Sequence, residues 1–563
     1  MAERLSGARI ICRELEAAGV DVLFGYPGGA IMPFYHALPE YPALRHILVR
    51  HEQAAAHAAD GYARARGRAG VCVATSGPGA TNLVTGLATA SMDSSPVVAI
   101  TGQVARPMMG RDAFQETDIV GITLPITKHS YLVEDASELA SVMAEALAIA
   151  VEGRPGPVLI DVPKDVQNQE VDYVPGRRRA PPRVVAGAPI PPLDDAVREA
   201  VRMIDAAQRP LLMVGHGVIL AGAYAELLAF AEKTGTPVIT TLLGISAFAE
   251  GHPLHLGMPG MHGEVHVNRA IQQADVIIGV GLRFDDRVTG NTASFAPRAQ
   301  VIHIDLDATE IGRTIRVALG IQGDARKVLR RLVAAVAPAD HAAWRDEIRG
   351  LVRTRERAHH SELSPEAILG ALHEATGGVC TIVTDVGQHQ MWIAKLFPYR
   401  RPNTHITSGG LGSMGFAVPA AMGVYLARPD EPVWSLSGDG GFQMNMAEMA
   451  TMVQEGLPVK LGIFNNGYLG MVRQWQQFFH GRRYSCTPIW SPDYVKLAEA
   501  YGIPAWRVRS PSELPEAVAG ANATPGPALV EFVIEQEANV FPMIRPGGSL
   551  SEPIEAAPAS AGD

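Results

Sequence analysis

The sequence predicts an α/β protein of three doubly wound parallel-sheet domains. Three observations predict this: the 563-residue length, short β-branched apolar runs alternating with longer amphipathic ones, and two segments that divide the chain by composition. At roughly 100–200 residues per domain, the length suits about three cores. Strand runs apolar on both faces, with helices between them, belong to parallel sheets covered on both sides.

In the first block, residues 1–173, the buried-strand candidates are Val71-Cys-Val-Ala-Thr75, Val97-Val-Ala-Ile100 and Val158-Leu-Ile-Asp-Val162. Residues 174–193 read as a linker, because six prolines and Arg177, Arg178 and Arg179 favour an extended, solvated chain. The second block, 194–340, carries Leu211-Leu-Met-Val214, Val276-Ile-Ile-Gly-Val280 and Val301-Ile-His-Ile304. Residues 341–364 form a highly charged helical stretch, read as a second linker, that ends at Ser364-Pro365, a helix N-cap followed by its first turn. The third block, 365–545, holds Thr381-Ile-Val-Thr384, Val433-Trp-Ser-Leu436 and Leu461-Gly-Ile-Phe464. The tail, 546–563, is rich in Gly, Pro, Ala and Ser, a composition open to a mobile end or to a lid over the site.

Composition excludes several functions. A net charge of −10 offers no concentrated basic surface for nucleic acid. Cys12, Cys72, Cys380 and Cys486 are far apart, which argues against a zinc site or disulfide framework and fits a reducing cytoplasm. Met1 to Ser6 is polar, with no apolar signal core, so a cytoplasmic protein is expected. The uncharged run Val71–Met92 is long enough to suggest a membrane span, but Ser76, Gly77, Pro78, Gly79, Thr81 and Asn82 are too polar for hydrocarbon. It reads as a strand, a tight loop and a helix start.

The most specific signal lies in the third block. One strand run ends in Gly438-Asp439-Gly440, and the next, about two dozen residues on, ends in Asn465-Asn466. A lone Gly-Asp-Gly is usually a turn; the pair at adjacent strand ends suits a magnesium diphosphate. Mg²⁺ prefers oxygens in near-octahedral array. The Asp439 carboxylate, the Asn466 amide oxygen and a backbone carbonyl just beyond can supply three, and Gly438, Gly440 and Gly441 let the backbone approach phosphates. Gly387, Gln388 and His389 also follow a strand and are placed to meet phosphates, although a polar loop reads equally well there. The turn Ser408–Gly415 contains Gly412 and one large side chain, Met414, which alone reads as core. In the first block, Arg50–Arg64 is a helical run with Glu52 in its first turn, a common place for an acid beside the helix dipole.

Taken together, Glu52, the Gly-Asp-Gly/Asn-Asn pair and Met414 resemble the thiamine-diphosphate enzymes. The resemblance implies domains of that type: a pyrimidine-binding first block, a central FAD-associated block and a diphosphate- and Mg²⁺-binding third block. It implies that the Tyr468 carbonyl joins Asp439 and Asn466 on the metal, that Met414 props the cofactor into a V, and that Glu52 meets the aminopyrimidine ring. Further runs narrow the likeness to acetolactate synthases: Gly102-Gln-Val104, Asp112-Ala-Phe-Gln-Glu116, Thr127-Lys-His129, Gly260-Met-His-Gly263, Arg283-Phe-Asp-Asp-Arg287 and Gly470-Met-Val-Arg-Gln-Trp475.

That family implies FAD without net redox work, held by His262, Arg283, Asp286 and Asp305. Read alone, Arg283, Asp286 and Arg287 are better explained by surface ion pairs. The resemblance further implies that Arg287 anchors the second ketoacid's carboxylate, that Trp475 favours the ethyl group of 2-oxobutyrate over the methyl of pyruvate, and that Gln115 lies by the reaction centre, with Lys164 and His129 as further candidates. Active sites between chains of a homo-oligomer and a small regulatory subunit are also implied. Departures from the family pattern are Ala105 and Ile190, where Pro and Lys are frequent, and the local sequence at Arg545-Pro546. A flavin- and thiamine-dependent pyruvate oxidase is the alternative reading.

Overall fold

The computed structural model describes residues 3–176, 191–352 and 363–557. Arg177, Arg178, Arg179 and Ile190 lie outside the described residues, as does the end of the tail from 558. Three six-stranded sheets organise the chain, and their strands pair in parallel throughout.

The first sheet runs Arg45–Leu48, Val22–Gly25, Gly70–Ala74, Val97–Gln103, Val158–Pro163, His129–Leu132. The second runs His255–Gly257, Val238–Thr240, Pro210–Val214, Val276–Val280, Gln300–Asp305, Leu319–Gln322. The third runs His405–Thr407, Thr381–Thr384, Val433–Gly438, Lys460–Asn465, Ala528–Val533, Ala505–Val508. Central strands such as Gly70–Ala74, Pro210–Val214 and Thr381–Thr384 are buried along their whole length, as helices on both faces require.

The first and third sheets share one core through two helices, Glu52–Arg66 and Ala417–Ala427. A Cβ on Gly61 would lie 2.1 Å from the Ala420 carbonyl oxygen, and one on Gly423 would lie 1.9 Å from that of Ala58. The alanines of the first helix, Ala54, Ala55, Ala56, Ala58 and Ala59, are therefore not a weak amphipathic pattern. They belong to a helix buried nearly all round, where only small side chains let the backbones meet.

The helical stretch read as the second linker and the tail left open by composition both pack against the rest of the protein. Residues 342–350 form a helix docked on the middle block, with Trp344 buried and its indole N–H donating to the Pro210 carbonyl at 3.0 Å. Local charge described its solvent face; Trp344 and Ile348, packed with Ala270, form the other. In the tail, Pro553–Ile554 pairs with Met543–Ile544, Leu550 is buried, and the Gly548 carbonyl accepts from the Asn291 amide at 2.9 Å. Among the described residues no helix is long and apolar enough to cross a membrane.

Asp161, at the C-terminal half of a first-sheet strand, is buried and accepts from Thr101 Oγ1 at 2.7 Å and Gln103 Nε2 at 2.9 Å. Burial without a cation pushes its carboxyl up to about 7. The folded value exceeds the unfolded one, so this group's contribution is full at low pH and is lost as pH rises towards 7. Asp161→Asn is expected to flatten that slope, which is at most about 1.4 kcal/mol per pH unit. Denaturation midpoints of both proteins between about pH 5 and 8 check it.

Candidate active site

A cleft of about 1010 Å³ opens where the three blocks meet, at the C-terminal ends of strands, the usual place for ligands in open α/β sheets. Its walls include Asp93, Ser94 and Arg154 from the first block and His216, His262, Arg283, Asp286, Arg287 and Asp305 from the second. The third block contributes Gly387, Gly412, Met414 and Trp475. The ion pairs that offered the bland account of Arg283, Asp286 and Arg287 are loose: Arg283 to Asp285 is 3.8 Å and Arg287 to Asp286 is 3.7 Å. The Arg287 guanidinium instead lies over the Trp475 ring, 5.7 Å from its centroid, and donates to Met261 Sδ at 3.0 Å. Burial, with Lys395 and Arg287 near, pushes the His262 imidazole down to about 3, so it is neutral. Burial pushes the Asp305 carboxyl up to about 6.

A narrower hollow adjoins this cleft and shares Gly387 and Met414 with it. Gln388, His389, Gly438, Asp439, Gly440, Gly441, Asn466 and Tyr468 line it. Strands Val433–Gly438 and Lys460–Asn465 are neighbours in register, Gly438 opposite Phe464, which brings the two polar ends side by side. Asp439 is buried; its Oδ2 accepts from Gly467 N at 2.9 Å and Ser491 Oγ at 3.2 Å. Burial pushes its carboxyl up to about 6. The Asn466 amide is turned by Gln388, whose Oε1 accepts from Nδ2 at 3.4 Å, while Asn466 Oδ1 accepts from Tyr468 N at 3.1 Å. Hard oxygens from Asp439 and Asn466, beside the backbone of Tyr468, suit Mg²⁺ with a diphosphate. Gly387 adopts φ 149, open to a residue without Cβ, and starts the helix Gln388–Leu396 at the hollow. Gly441 has a different reason for lacking a side chain: a Cβ there would lie 2.7 Å from Asp385 Oδ1. The Met414 methyl reaches over Gly440, 3.5 Å from where a Cβ would stand.

Glu52 and Gln115 lie together elsewhere. Asn82 Nδ2 donates to Glu52 Oε2 at 2.9 Å, and a Cβ on Gly79 would stand 3.2 Å from Glu52 Oε1. A Cβ on nearby Gly77 would meet the Gln115 carbonyl oxygen at 2.8 Å. The segment Thr75–Asn82, a turn running into the short helix Pro78–Asn82, thus joins Glu52 and Gln115 on one wall of the first block. Neither residue is among those lining the two hollows of the same chain. Lys164 and His129 are exposed, and Ala105 is half-buried before the turn Arg106–Met108.

Several supporting residues were not singled out by sequence. Asp385 accepts from Gly415 N at 3.0 Å and Val386 N at 2.7 Å, pinning the turn that carries Met414. Glu448 accepts from Arg50 N at 2.8 Å and His51 N at 3.2 Å at the start of the Glu52 helix. Asp93 accepts from Gly409 N at 3.0 Å and Gly410 N at 2.6 Å, hanging the glycine-rich turn on the first block. Arg154, on the cleft wall, donates to Glu310 at 2.7 Å. Only Asp385 carried a local signal, an acid directly after a buried strand and before Val-Gly; the others act through contacts distant in sequence.

The fold and the hollow together define a class, and comparison with known families gives the same one. Residues 5–122 match the model for the N-terminal TPP binding domain of thiamine pyrophosphate enzymes, 197–332 the central domain, and 385–532 the C-terminal TPP binding domain. The chain is 46% identical over 568 residues to an acetolactate synthase large subunit of Corynebacterium glutamicum, spanning 98% of this chain and 90% of that protein. It is 47% identical over 574 residues to an acetolactate synthase large subunit of Mycobacterium tuberculosis, spanning 99% and 92%. It is 45% identical over 568 residues to an acetolactate synthase of Arthrospira platensis, spanning 98% of each. The chain belongs to the acetolactate synthase family of thiamine pyrophosphate enzymes.

Proposed function

We propose that this chain decarboxylates pyruvate and transfers the two-carbon unit to a second 2-ketoacid, giving 2-acetolactate from pyruvate or 2-aceto-2-hydroxybutyrate from 2-oxobutyrate. This is the first common step of branched-chain amino-acid biosynthesis. One observation carries the reading: Met414 borders both the narrow hollow with Asp439 and Asn466 and the wide cleft with Arg287 and Trp475. The residues that would hold the cofactor's diphosphate and metal are thus continuous, through Met414, with those that would bind substrate. Thiamine diphosphate, when bound, supplies the nucleophilic carbon and the electron sink for loss of CO₂.

Asp439, Asn466 and the Tyr468 carbonyl hold Mg²⁺, while Gly387, Gln388, His389, Gly438, Gly440 and Gly441 surround the diphosphate and Gly412 shapes the turn before Met414. Arg287 binds the carboxylate of the acceptor ketoacid, for which a planar guanidinium is the fitting partner. His262, Arg283, Asp286 and Asp305 hold FAD along the wide cleft; its size and its walls from all three blocks support that assignment. Glu52 keeps a proton at the aminopyrimidine of a cofactor bound by another copy of the chain, and Gln115 accompanies it. The separation of this pair from the clefts of its own chain supports a homo-oligomer with sites between chains. A small regulatory subunit is a further partner proposed from the family.

Steady acetolactate formation from pyruvate under nitrogen, with thiamine diphosphate, Mg²⁺ and FAD, is the test. Acetate with flavin-dependent oxygen uptake, and no acetolactate, would instead mark a pyruvate oxidase, a reading that the similar proteins do not support. Trp475→Leu is expected to lower the preference for 2-oxobutyrate over pyruvate by about 10-fold, within the 1–3 kcal/mol that one methylene contributes. Product ratios from mixed substrates measure it.

A further inference from the structure

We infer that Glu116 is a positioning residue that locks Gln115 in a left-handed backbone conformation and so presents its side chain to the reacting centre. The inference rests on the reading of Gln115 given under the proposed function.

The loop from Gly110 to Thr117 holds two residues with a Cβ in the left-handed region, Asp112 at φ 53 and Gln115 at φ 61. That conformation is disfavoured for L side chains, and persists where the surroundings over-determine it. Here the Glu116 side chain turns back into its own loop. Its carboxylate accepts the amides of Gly110, of Arg111 at 3.3 Å and of Ala113 at 2.9 Å. The Glu116 amide in turn donates to the Ala113 carbonyl at 2.9 Å. One negative charge thus gathers the start of the loop around the residue that follows Gln115. These amides hold the carboxyl below its ordinary range, so it is ionised at neutral pH.

Two further restraints fix where the closed loop sits. Gln103 Nε2 donates to the Thr117 carbonyl at 2.8 Å, and Gln103 is itself held by buried Asp161 at 2.9 Å. On the other side, the Gln115 backbone rests on Gly77, itself at φ 58, where a Cβ would come within 2.9 Å of the Gln115 Cα. Gly77 is two residues from Gly79, which faces Glu52. The loop is therefore registered against the same wall as the carboxyl that meets the cofactor. Phe114, beside Gln115, is 88% exposed, so packing of its ring within the chain is not what holds the loop.

The experiment compares Glu116→Gln, Gln115→Ala and the double variant in the full chain with thiamine diphosphate, Mg²⁺ and FAD. Glu116→Gln retains size but replaces an all-acceptor carboxylate with an amide that repels one of the gathered N–H groups. Its kcat for acetolactate is expected to fall about 10-fold or more, towards that of Gln115→Ala, because small displacements of a reacting group are costly. Melting temperature and cofactor affinity are expected to stay near wild type. The double variant is expected to lie within about twofold of the worse single one, since both changes remove the same positioned group. Wild-type kcat in Glu116→Gln, or losses that multiply in the double variant, would overturn the inference while leaving Gln115 in place. Wild-type kcat in Gln115→Ala would overturn the reading of Gln115 and this inference with it. Should Glu116→Gln not fold, Glu116→Asp, which keeps the charge but shortens its reach, carries the same comparison.

Discussion

Glu52→Gln is expected to lower acetolactate formation by about 10²–10⁴-fold, the range of a positioned acid–base group. The substitution is close to isosteric. A glutamine oxygen can still accept from Asn82 Nδ2, which now bonds Glu52 at 2.9 Å, and the helix start stays capped by His51, whose Nδ1 accepts from Gln53 N at 3.1 Å. Glu448 continues to hold the amides of Arg50 and His51 from the third block. Fold, assembly and cofactor affinity should therefore change little, and the loss falls on proton transfer. The decisive measurement is hydrogen–deuterium exchange at C2 of the bound cofactor. Slowed exchange with retained binding supports the assigned role; exchange at the wild-type rate ends it, whatever the steady-state activity.

Arg64→Met is expected to cost about 3–5 kcal/mol of stability, the range for breaking a buried charge cluster by removing one partner. Arg64 is buried and donates to both oxygens of Asp60, at 2.6 and 3.1 Å, to Asp93 at 2.9 Å and to the Thr407 carbonyl at 2.8 Å. The methionine fills similar space but leaves two carboxylates buried side by side. Asp93 also carries the amides of Gly409 and Gly410, and its carbonyl accepts from His216 Nδ1 at 2.9 Å, so the cluster ties all three blocks together beside the cleft. The pH dependence has a definite sign. Burial already raises the Asp60 carboxyl, against the pull of Arg64, and without the guanidinium it rises further. A raised folded value favours the protonated form, so the variant's deficit should shrink on acidification and grow as pH rises. Denaturant midpoints for both proteins across pH 5–8 test this. An equal deficit at every pH would assign the loss to packing rather than to uncompensated charge.

Loosening the cluster should also affect the cofactor. The Ser408–Gly415 turn is held from the first block by Asp93, by Thr89 Oγ1, 2.7 Å from Ser413 Oγ, and by Arg64 at Thr407. Asp385 holds its far end. Met414 inherits its place over Gly440 from these contacts.

The division between what was legible in sequence and what was not follows contact range. By itself the sequence determined the three α/β blocks, because a buried parallel strand needs an uninterrupted apolar run and its helices need amphipathic ones. It also determined the pairing of Asp439 with Asn466. The two strands are consecutive and adjacent in the sheet, so one βαβ crossover sets the spacing of their polar ends in the chain and in space alike. The Ser364 cap was local in the same way; its hydroxyl accepts from Ala367 N at 3.2 Å.

Only the tertiary structure decided the rest. It laid Arg287 over Trp475, hung the Met414 turn on Asp93 and docked Trp344 on the middle block. It set Glu52 and Gln115 together on a wall apart from the clefts of their own chain. Each of these joins residues far apart along the chain, where no helical or strand period links the partners. Their meeting depends on how whole sheets pack, and that is set by summed burial over many side chains rather than by any one of them.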